Sequence, residues 1–149
     1  MSPSRSTVTV TETVHVKRDP TEVFDYTQDY TSRMTWDRSV TAAEVQSESP
    51  RRVRLTVRGT GRFTVEYRLF RRPERTSAAF VDVRSSWLAA GGGSWRYEPR
   101  DGGTDWTQTN TLELKHPRLL RLIAPFVERN LRSSMRRAMA AAKQTLESR

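Results

Sequence analysis

From Thr7 the chain alternates. Val8, Val10, Val14 and Val16 fall on one parity, and Thr9, Thr11, Thr13 and His15 on the other. Period two with β-branched residues predicts a strand with one buried face, and it puts His15 on the outer, polar side. The alternation stops at Asp19-Pro20-Thr21-Glu22. There Asp19 suits an N-cap, Pro20 the first helical position and Glu22 the return arm of a capping box. The helix so started turns Val23, Phe24, Thr27 and Tyr30 inward, and a short continuation over 31–37 carries Met34-Thr35-Trp36. Trp36 is placed to plug a core edge or to close one end of a cavity.

Strand signals fill the middle of the chain. Residues 41–47 are weakly patterned, and Ser49-Pro50 breaks them. Val53, Leu55 and Val57 then alternate with Arg54, Thr56 and Arg58; after the Gly59-Thr60-Gly61 turn, Phe63, Val65, Tyr67 and Leu69 alternate with Thr64, Glu66 and Arg68. A turn at Arg72-Pro73-Glu74-Arg75 leads into a strand over 77–84. Here Ala79, Val81 and Val83 oppose Phe80, so the inward face stays open. The Ala-Ala-Gly-Gly-Gly run at 89–93 reads as a loop or a sharp bend in the sheet. No Gly-Lys-Ser/Thr follows it, so it is not a phosphate loop. Trp95 and Tyr97 come next, and Arg100-Asp101-Gly102-Gly103 signals a hairpin. The return strand over 104–115 carries Trp106, Gln108, Asn110, Leu112 and Leu114 on one parity and Thr107, Thr109, Thr111 and Glu113 on the other. A shift of one residue would exchange the two sets. The first register is preferred because Trp95, Tyr97 and Trp106 then share the concave face.

The last stretch, Pro117 to Ser148, changes period. Leu120, Ile123, Val127, Leu131, Met135, Ala138, Ala142 and Leu146 recur at helical spacing, with Arg118, Arg121, Arg129, Arg132, Arg136 and Lys143 on another face. From Pro125 to Glu147 such a helix runs about 35 Å. Pro125 cannot donate to the carbonyl of Arg121, which predicts a kink or a short helix followed by a longer one. The element order is strand, two short helices, six strands and a long helix. It predicts an α+β fold in which a curved antiparallel sheet of about seven strands wraps around the C-terminal helix. The gap between them is a natural pocket. Residues 1–149 read as one domain, with 1–6 frayed.

Composition narrows the chemistry. There is no cysteine, and the two histidines, His15 and His116, lie far apart. Neither a metal nor a cofactor is expected. The opening lacks an apolar run, and nothing approaches the ~18 apolar residues of a membrane span, so a cytoplasmic protein is expected. The net charge of +9 brings RNA, ribosomes or an anionic membrane into view as partners of the basic helix. The 23 arginines are scattered over most segments, which fits a solvated basic surface better.

Three stretches carry a family resemblance. They are Val16 to Tyr26 running on to Met34-Thr35-Trp36, the hairpin from Tyr97 to Thr104 with its Gly103-Thr104, and Leu120 to Glu147 with Ala124-Pro125 near its start. Together, and in this order, they resemble the START-like (SRPBCC) proteins of polyketide cyclase/dehydrase type, over nearly all of 7–147. The resemblance implies a helix-grip fold with an internal cavity for an apolar small molecule, lipid or polyketide. Some members of that family cyclise or dehydrate such ligands, and others only bind or carry them. No catalytic signature transfers residue by residue.

The inward parities then nominate ligand-binding residues. These are Trp36; Phe63, Val65, Tyr67, Leu69, Trp95, Tyr97, Trp106, Gln108 and Asn110 on the strands; and Val127, Leu131 and Met135, with Asn130 beside them, on the helix. Gln108 and Asn110 are the telling ones, because a buried amide without a partner costs about 1–3 kcal/mol. Catalytic candidates are Tyr67, Tyr97 and Tyr26 as proton donors, with Asp29 and Arg33 at the mouth. Asp29 and Arg33 also read as a surface i,i+4 pair. The expected function is binding of a hydrophobic small molecule. A cyclase or dehydratase is the alternative, and an interaction module using the basic helix comes third.

Overall fold

A computed structural model describes residues 7–116, 118 and 122–149. Strand β1 (Thr7–Val16) leads through α1 (Pro20–Thr27) and α2 (Arg33–Trp36) to β2 (Val40–Glu48). Strands β3 (Arg51–Val57), β4 (Gly61–Arg71), β5 (Arg75–Arg84), β6 (Leu88–Arg100) and β7 (Gly103–Leu114) follow, then helix α3 (Ala124–Glu147). All strand pairs are antiparallel, in the order β1-β7-β6-β5-β4-β3-β2. The helix pair carries the chain from one edge of the curved sheet to the other, and six strands meander back until β7 lies beside β1. Edge strand β2 is bulged twice, between Val40 and Ala42 and between Val45 and Ser47.

Local chemistry explains each boundary. Asp19 accepts from the Glu22 amide at 3.0 Å, and Pro20 opens α1. The capping box is not closed, because the Glu22 carboxylate turns to Arg18 instead, 3.7 Å away. Helix α3 begins at Ala124 with Pro125 in its first turn, where a missing N–H costs nothing. Pro125 therefore starts the long helix rather than kinking it. Pro117, Leu119, Leu120 and Arg121, with the predicted fraying of 1–6, lie outside the described residues.

Two strands depart from the pattern. Residues 89–93 are not a loop: Gly91, Gly92 and Gly93 pair on both sides, with Phe80, Ala79 and Ala78 of β5 and with Leu112, Thr111 and Asn110 of β7. Side chains are absent here because there is no room for them. A Cβ on Gly91 would sit 2.7 Å from the Phe80 ring, and one on Gly93 2.8 Å from Trp95. In β4 a register shift falls between Tyr67 and Leu69. The extra residue flips the phase. Leu69 thus leaves the inner row, and Phe70 packs on Phe24 and Tyr67 in its place, at 5.3 and 5.5 Å between centroids. The open parity of β5 resolves toward Ala78 and Phe80, which face the core.

The core lies between the sheet and α3. Trp106 is its centre, stacked parallel on Tyr97 and met edge-on by Trp36 at 5.6 Å. From α3 come Met135, Ala138, Met139, Ala142 and Leu146. Val127 and Leu131 are half-buried against it, while Ile123, predicted to face inward, is 43 % exposed. The cationic side of α3 docks on β1. Arg132 and Arg136 both donate to Glu12, and Lys143 donates to the His15 carbonyl and to Glu147. His15 itself sits on the outer face, 2.8 Å from Asp105.

Candidate functional site

Where the sheet curls away from the upper half of α3, two joined spaces remain. The inner one is a chamber of about 110 Å³. Its apolar wall comes from Val40, Leu55, Val57, Phe63, Val65, Phe80, Leu88, Trp95 and Leu112 on the strands and from Leu131, Met135 and Ala138 on α3. The outer one is a vestibule of about 870 Å³ between α3, Trp36, Trp87 and the β3–β4 hairpin. Ser39, Val57, Thr60, Leu112, Leu131, Ser134 and Ala138 border both, so the chamber is the deep end of the vestibule. The hairpin tip is braced by Trp87 Nε1, which donates to the Gly59 carbonyl at 2.8 Å. The chamber alone takes about one ring-sized group, whereas the vestibule has the volume usual for a small-molecule site.

Polar groups on this apolar wall are few and underused. Gln108 and Asn110 line the chamber, and among the described residues neither side chain has a hydrogen-bond partner. The strand register puts them there: Gln108 pairs with Trp95 and Asn110 with Gly93, so both amides share the inner face with Trp106. Arg33 lines the chamber as well, although its side chain is only 6 % exposed. Its Nε donates to Asp37 Oδ2 at 3.3 Å, and its buried Nη1 has no partner among the described residues. Asp37 also accepts from the Ser39 amide and hydroxyl. The guanidinium lies 4.6 Å from the Trp36 ring and 5.3 Å from that of Tyr30, as cation–π contacts require. Burial pulls the Arg33 pKa down, but Tyr30, Asp37 and Tyr67 outweigh it, and the group is held charged, above its ordinary value. The expected Asp29–Arg33 pair is therefore not formed. Asp29 instead accepts from Thr31 and Ser32 in a surface turn, and the Thr31 hydroxyl, partly opposed by burial, draws its pKa down.

Tyr67 and Tyr97, expected as proton donors at the site, border neither space. They belong to a closed chain beneath it. Thr27 Oγ1 donates to the Val23 carbonyl at 2.8 Å, so the Tyr97 hydroxyl donates to Thr27 while accepting from Gln28 Nε2, each at 2.7 Å. Gln28 Oε1 accepts from Tyr67, which accepts from Tyr30, again at 2.7 Å each. Burial pushes both phenols well above their ordinary pKa. With every hydroxyl proton committed, this chain positions Tyr30, which lines the chamber. Tyr26 lies apart, bonded to Thr35.

Of the residues nominated from sequence, Phe63, Val65, Trp95, Gln108, Asn110, Leu131 and Met135 border the chamber, with Arg33. Trp36, Val127 and Asn130 border the vestibule. Tyr67, Leu69, Tyr97 and Trp106 border neither. Sequence reasoning missed Asp37, Phe80, Leu88 and the buried Gln28. Asp37 stands four residues after Arg33, the same spacing that favoured Asp29, and only burial decides between them.

Solved structures with this architecture are numerous. A protein from Thermus thermophilus superposes with a TM-score of 0.80 at 18% identity, covering 94% of this chain and 97% of that one. An aromatase/cyclase from a Streptomyces species gives 0.79 at 17% identity, covering 95% and 94%. The di-domain aromatase/cyclase of the steffimycin biosynthetic pathway gives 0.79 at 12% identity; 97% of this chain spans 52% of that one. At such identities the likeness establishes the fold. No curated protein matches the sequence. The family model described as polyketide cyclase / dehydrase and lipid transport matches residues 7–147.

Proposed function

The chain belongs to the polyketide cyclase/dehydrase and lipid transport family, and on that premise we propose that its chamber and vestibule bind an elongated apolar molecule with an oxygen at its leading end. One observation carries the reading: Gln108 and Asn110 line an otherwise apolar recess with side-chain amides that have no protein partner among the described residues, beside Arg33, whose buried Nη1 has none either. A buried polar group left unmatched costs about 1–3 kcal/mol, and a ligand carbonyl or hydroxyl that shuts water out of the recess would give the two amides a partner. The Arg33 charge is already matched by Asp37, so a neutral oxygen fits better than a second anion. The body of the ligand then lies in the vestibule against Trp36, Trp87, Val127 and Ala141. Lipid, polyketide and other aromatic metabolites all meet this description.

Native mass spectrometry of the purified protein, followed by extraction, tests it. The expected result is a small molecule with an apolar body and a terminal oxygen. A protein that stays ligand-free and takes up no oxygenated aromatic probe sinks the reading. A second reading, cyclisation or dehydration of the guest, is favoured by the Asp37–Arg33 pair on the chamber wall, a base and a cation at the end where the oxygen would sit. It requires turnover of the extracted molecule that Asp37→Asn abolishes while binding persists.

A further inference from the structure

The mouth of the vestibule carries two features that a small-molecule site does not need. The first is apolar. Leu122 is 76 % exposed, Phe126 61 % and Ile123 43 %, just ahead of α3 and in its first turn. Phe126 and Arg129 stand three residues apart on one side of the helix, and Leu122 lies just ahead of it. Ile123 reaches the vestibule rim itself. The second is charge. Arg38, Arg58 and Arg137 line the vestibule, and among the described residues no acid pairs with them or with Arg129. Several cations at the opposite end are matched: Arg72 by Asp25, Arg100 by Asp105 and Lys143 by Glu147. Three arginines without an acidic partner among the described residues thus line the opening, and a fourth stands beside bulky side chains that gain nothing from water.

We propose that this rim docks on an anionic lipid bilayer, with Leu122, Ile123 and Phe126 entering the headgroup boundary and the arginines meeting lipid phosphates. Apolar insertion beside guanidinium groups is the pattern of a membrane-surface contact. RNA would use the cations and leave the three apolar side chains in water. The docking deepens the cavity reading and rests on it for one point, that the recess opens toward the source of its guest. Contact with the bilayer itself depends only on the rim.

The test is co-sedimentation with vesicles of pure phosphatidylcholine and of phosphatidylcholine mixed with phosphatidylglycerol. The intact chain is expected to sediment with the mixed vesicles, less so at high salt. The pair Leu122→Ser with Phe126→Ser lowers partitioning at least about tenfold, and Arg129→Glu lowers it about fivefold or more. None of these three residues borders the chamber or the vestibule, so titration with 1-anilinonaphthalene-8-sulfonate is expected to be unchanged in the variants. That readout separates a failure of docking from a failure of the cavity reading, and circular dichroism confirms that each variant folds. Equal binding to both vesicle types, or none, overturns the proposal. So does mixed-vesicle binding that Arg129→Glu removes but the serine pair leaves intact, because the rim would then be a general polyanion surface.

Discussion

A single side chain separates the two kinds of polar group buried here. Gln108 faces the chamber without a protein partner among the described residues, whereas Tyr67 is hydrogen-bonded to both Gln28 and Tyr30. Replacing Gln108 by Leu removes an unmatched amide from the chamber wall and is expected to raise the unfolding free energy by about 1 kcal/mol. Affinity for the extracted guest falls about tenfold. Tyr67→Phe does the reverse. It strips a donor from Gln28 and an acceptor from Tyr30, costing about 1–3 kcal/mol, and leaves guest affinity within about twofold. Urea titration and a binding isotherm check both, and parallel losses in the two variants would erase the distinction. Residue by residue, the sequence revealed the amides but not the tyrosines' role. Parity tells which face a side chain occupies; whether it meets empty space or Gln28 depends on a helix sixty-nine residues from Tyr97 in sequence. Arg33 shows the same limit. Its spacing fits Asp29 and Asp37 equally, and three-dimensional burial makes the choice.

Elements were more legible. Alternation located β1, β3, β4 and β7, and helical spacing located α3, because each presents one face to a single core. The misses have physical causes. The glycine run of β6 has no side chains with which to alternate, so it reads as a loop even though it pairs on both sides. The register shift after Tyr67 reverses a parity that sequence alone carries straight on to Leu69. At the far end of α3 a pH-dependent clasp holds the helix to β1. Glu147 accepts from the Lys17 amide and from Lys143, and the Lys143 bond, more than any other, holds its carboxyl below the ordinary value of 4.5. A lowered folded-state pKa means stability that is present above the unfolded value and lost as pH falls through the folded one. Glu147→Gln is therefore expected to lower Tm at neutral pH and to converge on the wild type as pH falls through the lowered folded-state pKa, as followed by thermal melts across pH. An undiminished difference in acid would place the effect elsewhere.

The whole molecule has a closely packed base and an open upper end. Met139, Ala142 and Leu146 seal the lower half of α3 against the sheet, while Leu131 and Ser134 look into open volume. Mass action couples the two halves: a guest held at a hundred times its dissociation constant adds about 2.7 kcal/mol to the unfolding free energy, seen as a later urea midpoint with an unchanged slope. A midpoint indifferent to guest concentration would mean that binding is not confined to the folded state. One further trait follows from β2, one of the two outer strands. Its two bulges throw donors and acceptors out of step every few residues, so a neighbouring molecule finds no continuous ladder on which to lay an eighth strand. Edge-to-edge association through β2 is thereby disfavoured, even though the recess leaves part of the interior unfilled.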